Sequence, residues 1–170
     1  LRDGDHLVDV AITDGSCEIM LVASHGKAIR FKENDVRPMG RGAAGVRGIK
    51  LPNDHDVIAL AIVGTGMLLS ATENGFGKRT AIDDFPTQGR GGQGVIAIQT
   101  TARNGRTVGA IQVGDDDEVM LISSGGTLVR TPVSDISIIG RNTQGVTLIR
   151  VESGQRLVGL ARIEFIGDDE

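Results

Sequence analysis

Apolar residues along this chain come in short runs, and each run is cut off by glycine. Residues 19–23 (IMLVA), 68–71 (LLSA) and 119–122 (VMLI) are three such runs. They stop at His25-Gly26, Asn74-Gly75 and Gly125-Gly126. Pairs of this kind supply the positive φ of a two-residue hairpin turn, so each run predicts a strand that doubles back. A second strand follows at 28–31 in the first case and 128–131 in the third. An irregular stretch with Pro38 or Pro86 and several glycines comes next. The stretches 46–51, 95–100 and 146–151 predict a third strand. An apolar segment that recurs at Val8, Ile58, Val108 and Val158 predicts a fourth. No stretch holds a 3.6-residue period over three turns, so no helix is expected.

These runs belong to a repeat. Segments starting at Glu18, Met67 and Glu118 align without a gap. Gly26, Gly75 and Gly126 share a column, as do Arg30, Arg79 and Arg130. Arg41, Arg90 and Arg141 form another column, and Gly45, Gly94 and Gly145 a fourth. The spacings are 49 and 51 residues. Four strands in a unit of about 50 residues mark a propeller-type blade, which buries its faces only by stacking on neighbours. The expected fold is therefore all-β and propeller-like, with about three four-stranded antiparallel blades. The repeats run over about 12–62, 63–113 and 114–163, within a domain of residues 1–165. Three blades make a partial wheel, since closed propellers have ~4–8. The extra copy at Val8, and a start at Leu1 without Met, point to a piece of a longer array.

Charge changes this picture little in total but more in its distribution. The net charge is −4, whereas residues 27–50 hold seven Lys/Arg against two acids. Residues 114–118 read GDDDE, a loop expected to be solvated. Segregated charge of this kind can hide a basic rim. No apolar run approaches the ~20 residues of a membrane span, and no signal-peptide pattern is present. The expectation is a soluble cytoplasmic protein with no membrane partner. Cys17 stands alone and next to apolar residues, which fits a buried small residue. His6, His25 and His55 lack nearby metal-ligand residues in sequence. No metal, cofactor or catalytic centre is expected.

Two glycine patterns, 40–45 and 89–94, match GxGxxG. That fingerprint needs a helix after it, so that phosphate meets a helix N-terminus. Here a β-branched segment follows each match, and the third copy has Asn142 at the middle glycine. A loop presenting one arginine per blade fits better. Arg41, Arg90 and Arg141 are candidate phosphate contacts, because the guanidinium fork donates two parallel hydrogen bonds. Arg30, Arg79 and Arg130 on the outer hairpins form a second candidate column. Lys27, Lys32, Lys78 and Arg47 stand close by in sequence. The same columns fit solvated rim arginines or blade-to-blade ion pairs equally well. Single-strand binders stack bases on aromatic rings, yet the chain has four Phe and no Tyr or Trp. Phe31 and Phe85 fit core positions. A duplex backbone is the better-suited ligand, and a protein-interaction scaffold is the rival of a different class.

Longer motifs carry a resemblance. Residues 103–113 (RNGRTVGAIQV), the core GTLVRTPVSDISIIGRNTQGVTLIR, and the stretches EVMLISS, SHGKAIRFKENDVRPMGRGAAGVRGIKL and ENGFGKRTAIDDFPT resemble the C-terminal domain of bacterial DNA gyrase A. The resemblance spans essentially the whole chain. It implies a β-pinwheel, a propeller variant of six blades that exchange strands, with duplex DNA wrapped on a basic rim. It also implies a parent enzyme, a type II DNA topoisomerase, that introduces negative supercoils using ATP. The implied partners are the rest of gyrase A and, in an A2B2 assembly, gyrase B. This chain would be the last three blades, with residues 166–170 starting an acidic tail. The corresponding domain of the A protein of topoisomerase IV is the nearest alternative. The family's basic heptapeptide QRRGGKG has its nearest relative here at 88–94, QGRGGQG, which keeps Arg90 and lacks two basic positions. The family's DNA-cleaving residue is a tyrosine, and this chain contains none. Self-association of the partial wheel through its open ends is a further expectation.

Overall fold

The computed structural model describes residues 3–163; the expected acidic tail at 166–170 lies outside them. Eleven strands form three antiparallel sheets among these residues. Strands β1 (Glu18–Ala23), β2 (Lys27–Lys32) and β3 (Val57–Ile62) belong to the first blade. Strands β4 (Met67–Thr72), β5 (Phe76–Ala81) and β7 (Thr107–Val113) belong to the second, with the two-residue β6 (Val95–Ile96) before β7. Strands β8 (Glu118–Ser123), β9 (Leu128–Pro132) and β11 (Leu157–Ile163) make the third, with β10 (Val146–Thr147) before β11. The only helical pieces among the described residues are 3-10 turns after β2, β5 and β9. The glycine loops at 89–94 and 140–145 lead into short strands, and neither these nor the loop at 40–45 leads into a helix, which removes the nucleotide-fingerprint reading.

The β1–β2, β4–β5 and β8–β9 hairpins close through short loops. In each, the glycine donates to the carbonyl three residues back, as Gly26 does to Ala23 at 2.9 Å. Gly26, Gly75 and Gly126 all have φ near +85°. This is a type I turn followed by a left-handed glycine, in place of the expected two-residue turn.

The expected third strand forms at 95–96 and 146–147 only, and strand exchange places it on the preceding blade. The blade orders are β3-β1-β2-β6 and β7-β4-β5-β10 from hub to rim. The rim strand of each blade therefore comes from the following repeat: Ala28 pairs with Val95, and Gly77 with Val146. The pairing is short because Ala97 and Ile98 both donate to the one carbonyl of Gly26, which ends the ladder. Residues 46–51 form no strand and edge no sheet among the described residues. The third sheet has three strands among the described residues.

Stacking explains why the strands are apolar on both faces. Neighbouring side chains on a strand point to opposite faces. Leu68 packs toward the first blade with Met20, Val22 and Phe85, whereas Leu69 packs toward the third with Val119, Leu121 and Leu157. At the hub, β3, β7 and β11 converge around a cavity of about 230 Å³, which Val8 and Asp9 also line. All four copies of the recurring segment thus meet at the axis. The first copy is not a strand.

Candidate nucleic-acid interface

Two seams join the blades, and both are fastened by arginine. At the first seam Arg30 reaches forward: Nη1 donates to the carbonyls of Ile82 (3.2 Å) and Phe85 (3.3 Å) in the next repeat. Its Nε and Nη2 bind Glu18 on the neighbouring strand. Glu18 also accepts from Thr87 across the seam at 2.6 Å, and these hydrogen bonds with Thr87 and Arg30 hold its carboxyl below the usual range. Arg90 reaches backward, donating from Nε to the carbonyl of Asp35 (2.9 Å) and from Nη1 to that of Arg47 (2.5 Å). Backbone bonds Gly91 to Gly48 and Lys50 to Gly92 lay the two glycine loops side by side.

The second seam repeats the plan with deeper burial. Arg79 is 5% exposed. Its Nε donates to Ile136 (2.7 Å), Nη2 contacts the Ser134 carbonyl (3.4 Å), and Nη1 pairs with Asp115 (2.5 Å). Arg141 reaches back to the carbonyl of Ile96 (3.0 Å) with its guanidinium 5.9 Å from the Phe85 ring centre. Ile96 and Arg47 occupy the same repeat position, so Arg90 and Arg141 make the same contact one blade apart.

Lys78 is a correction to the candidate set. Its side chain is fully buried, and Nζ donates to the carbonyls of Gly140 (2.7 Å) and Arg141 (2.5 Å) and to Thr143 Oγ1 (2.9 Å). No phosphate can reach it. Burial, helped by the charge of Arg141, lowers its pKa to about 8. Lys78 gathers the carbonyls of the one loop that lacks a middle glycine: Gly91 has φ +83°, whereas its counterpart Asn142 does not adopt positive φ. Arg79 is corrected for the same reason, and the bonded face of Arg30 is likewise inside a seam.

Four of the remaining candidates, Lys27, Lys32, Arg41 and Arg47, belong to the first repeat. Lys32, Arg41 and Arg47 are exposed. Lys27 is half-buried, with Nζ 3.5 Å from Gln93 Oε1. Lys27 and Lys50 line one shallow cavity with His25 and Gln93, so the fold brings Lys27, Arg47, Lys50 and Arg90 together along the first seam. Arg130 sits apart at the far end, bound to Glu118 and exposed. The invariant columns leave out Arg37, Lys50, Arg103, Arg106 and Arg150, exposed cations that do not recur in all three repeats. Arg103 lies over the Phe76 ring at 4.8 Å. The columns also leave out the His25–His55 contact, with ring centres 5.2 Å apart. Burial, then the neighbouring His55 and Lys27, lower the pKa of His25. The acidic loop is only partly solvated: Asp115 pairs with Arg79, and buried Asp117 pairs with Arg162. Cys17 is half-buried and bonds Asp14, while Phe31 and Phe85 are core residues.

A family model described as "DNA gyrase C-terminal domain, beta-propeller" matches residues 18–64, 66–113 and 117–164. The chain belongs to the DNA gyrase C-terminal domain family. Each match covers one repeat, and together they span most of the sequence. The DNA gyrase A protein of Salmonella typhimurium is 56% identical over 171 residues, covering all of this chain and 20% of that protein. The chain thus spans about a fifth of the length of the curated relatives it matches. A solved structure titled "Structure of DNA gyrase A C-terminal domain" superposes with TM-score 0.81 at 28% identity over 88% of this chain and 51% of that one. The "Crystal structure of the C-terminal domain of DNA topoisomerase IV" superposes with TM-score 0.90 at 27% identity, over 96% and 52%. The gyrase C-terminal domain family therefore accounts for the fold and the repeat.

Proposed function

We propose that this chain is a non-catalytic duplex-DNA-binding module, with the DNA backbone carried on the rim of the first blade. The observation that carries the reading is the group Lys27, Arg47, Lys50 and Arg90 along the first seam, flanked by exposed Lys32, Arg37 and Arg41. Cations spaced along a curved edge suit a phosphate backbone, and they release counterions when it binds. Arg90 and Arg141 spend part of their guanidinium on carbonyls and contribute to this surface second. Arg130 contributes only where it can leave Glu118.

The relatives support a wider reading. Within a full gyrase A protein, this module would hold DNA for the ATP-dependent negative supercoiling of an A2B2 topoisomerase in the bacterial cytoplasm. Cleavage would fall to a tyrosine elsewhere, since this chain has none. No helix among the described residues is long and apolar enough to cross a membrane.

Fluorescence anisotropy with a labelled duplex and a single strand of equal length tests the reading at low salt. The duplex should bind more tightly, without sequence preference, because the rim offers cations and little aromatic surface. Preferential single-strand binding, or no binding to either, would overturn the reading.

A further inference from the structure

The first seam carries a cavity of about 350 Å³ beside the β1–β2 turn, lined by His25, Lys27, Lys50, Leu51, Pro52 and Gln93. The first two repeats build it together, and no acid lines it. Lys27 makes one long contact, 3.5 Å to Gln93 Oε1. Neither lysine has an ion-pair partner among the described residues.

His25 differs from its counterpart at the second seam. That counterpart, Asn74, is tied down, its Nδ2 donating to the carbonyls of Ala102 (3.4 Å) and Arg103 (3.0 Å). The backbone of His25 is held, with Thr100 Oγ1 donating to its carbonyl at 3.2 Å. Its ring is not: Nδ1 is buried and has no hydrogen-bond partner among the described residues. The ring packs on His55, with centres 5.2 Å apart. His55 is itself fixed, its Nδ1 sharing a 3.0 Å hydrogen bond with Ser24 Oγ. The counterparts of Lys27 and Lys50 are Phe76 and Gln99, so the second seam has no such group of cations.

Cations dominate the surroundings of the His25 ring. Lys27 faces it from its own hairpin, and Lys50 and His55 from the loop at 50–56. Asp54 and Asp56 flank His55 and are exposed. Arg106 donates to the Asp54 carbonyl at 2.8 Å. The second repeat adds Gln93 and Thr100, both uncharged. Burial, then His55 and Lys27, hold the His25 pKa below its ordinary 6.5. The ring is therefore neutral near pH 7 in the free protein. A phosphate lying between the lysines reverses this balance, because an anion within about 4–6 Å favours the imidazolium.

We propose that a DNA phosphate docked between Lys27 and Lys50 recruits His25 as a third contact, and that this docking takes up a proton from solvent. The inference rests on the duplex-binding reading and adds a regulation to the same surface. The proton goes to the unprotonated ring nitrogen, so both nitrogens then carry N–H and either can meet a phosphate oxygen. No hydrogen bond holds the ring, which is free to turn into the cavity it lines. The bound state holds more protons than the free one, so affinity rises as pH falls.

Anisotropy of a labelled duplex at constant ionic strength, from about pH 8 to about pH 5.5, tests this. The wild type should bind about tenfold more tightly at the lower pH, the gain expected for a shift of about one pKa unit on binding. His25→Gln should lose most of that gain and His55→Gln should keep it, with circular dichroism as the check on folding. Nuclear magnetic resonance of the His25 ring in the unaltered chain should show its titration moving to higher pH when duplex is bound. Calorimetry in two buffers of different ionisation heat should show proton uptake by the wild type. Duplex binding whose pH dependence survives His25→Gln, a gain lost in His55→Gln alone, or a His25 titration unmoved by duplex would overturn the inference and leave the interface in place. No duplex binding at any pH would overturn both.

Discussion

The two seams share one plan and differ in where their charge goes. At the first, Lys27, Arg47 and Lys50 surround the latch arginines and stay near solvent. Their counterparts at the second are Phe76, Ile96 and Gln99. There the added cation is Lys78, and it is inside. Its counterparts are Ile29 and Val129, so it occupies an apolar position. Basic residues in one repeat column can therefore serve opposite ends. At the first seam they face outward and can meet a ligand, and at the second they hold a loop closed. Burial decides which, because a cation out of water is stable only when its donors are satisfied.

The largest expected effect separates the latches. Arg79→Ala should destabilise the fold by about 2–4 kcal/mol, since it strands buried carbonyls and removes charge-assisted hydrogen bonds. Arg30→Ala should cost about 1–2 kcal/mol, its seam being more open. Arg130→Ala should cost the least of the three, as an exposed pair. Urea unfolding ranks the three, and an equal cost for Arg79 and Arg130 would break the contrast between buried and open seams.

Lys78 offers the next effect. Lys78→Met should destabilise by about 1–3 kcal/mol through the unfilled carbonyls of Gly140 and Arg141. It should also change the pH profile. The folded lysine loses its proton near pH 8, and an unfolded one only near its ordinary 10.5. Between these values the unfolded state binds more protons, so raising the pH favours the fold. The wild type should therefore gain stability relative to the variant from about pH 8 to 10.5. A difference that shrinks over this window would mean that the carbonyls hold the lysine charged.

The smallest effect sharpens the comparison from the other side. Gln99→Lys gives the second seam the cation that Lys50 gives the first. It should steepen the salt dependence of duplex binding by about one phosphate contact, a slope change of about −0.9. No change would confine the DNA path to the first blade.

Much of this was legible in the sequence. The glycine columns mark the hairpins, and the period of strands marks the blades. Strand exchange was not legible from the columns alone, because alignment shows which residues are equivalent and not which pair. Val46 and Val95 look alike in sequence, yet among the described residues only Val95 pairs with a strand. The arginine columns were undecided for a similar reason. A recurring arginine suits a rim and a seam equally, and only the carbonyls of Ile82, Phe85, Ser134 and Ile136 place Arg30 and Arg79 inside. Lys78 did leave a signal, since its column is otherwise Ile29 and Val129. The useful rim cations are hidden from a reading by columns, because Arg47 and Lys50 do not recur in every repeat.

On the proposed reading, duplex DNA is held by the outward cations of the first blade, while the buried cations of the second seam hold the fold. The slope of log affinity against log salt tests it most directly, for the wild type and for the variant Lys27→Ala, Arg47→Ala, Lys50→Ala. This variant should fold normally and lose about 2–3 phosphate contacts, flattening the slope by about 1.8–2.7. An unchanged slope would contradict the claim and put the DNA elsewhere on the molecule.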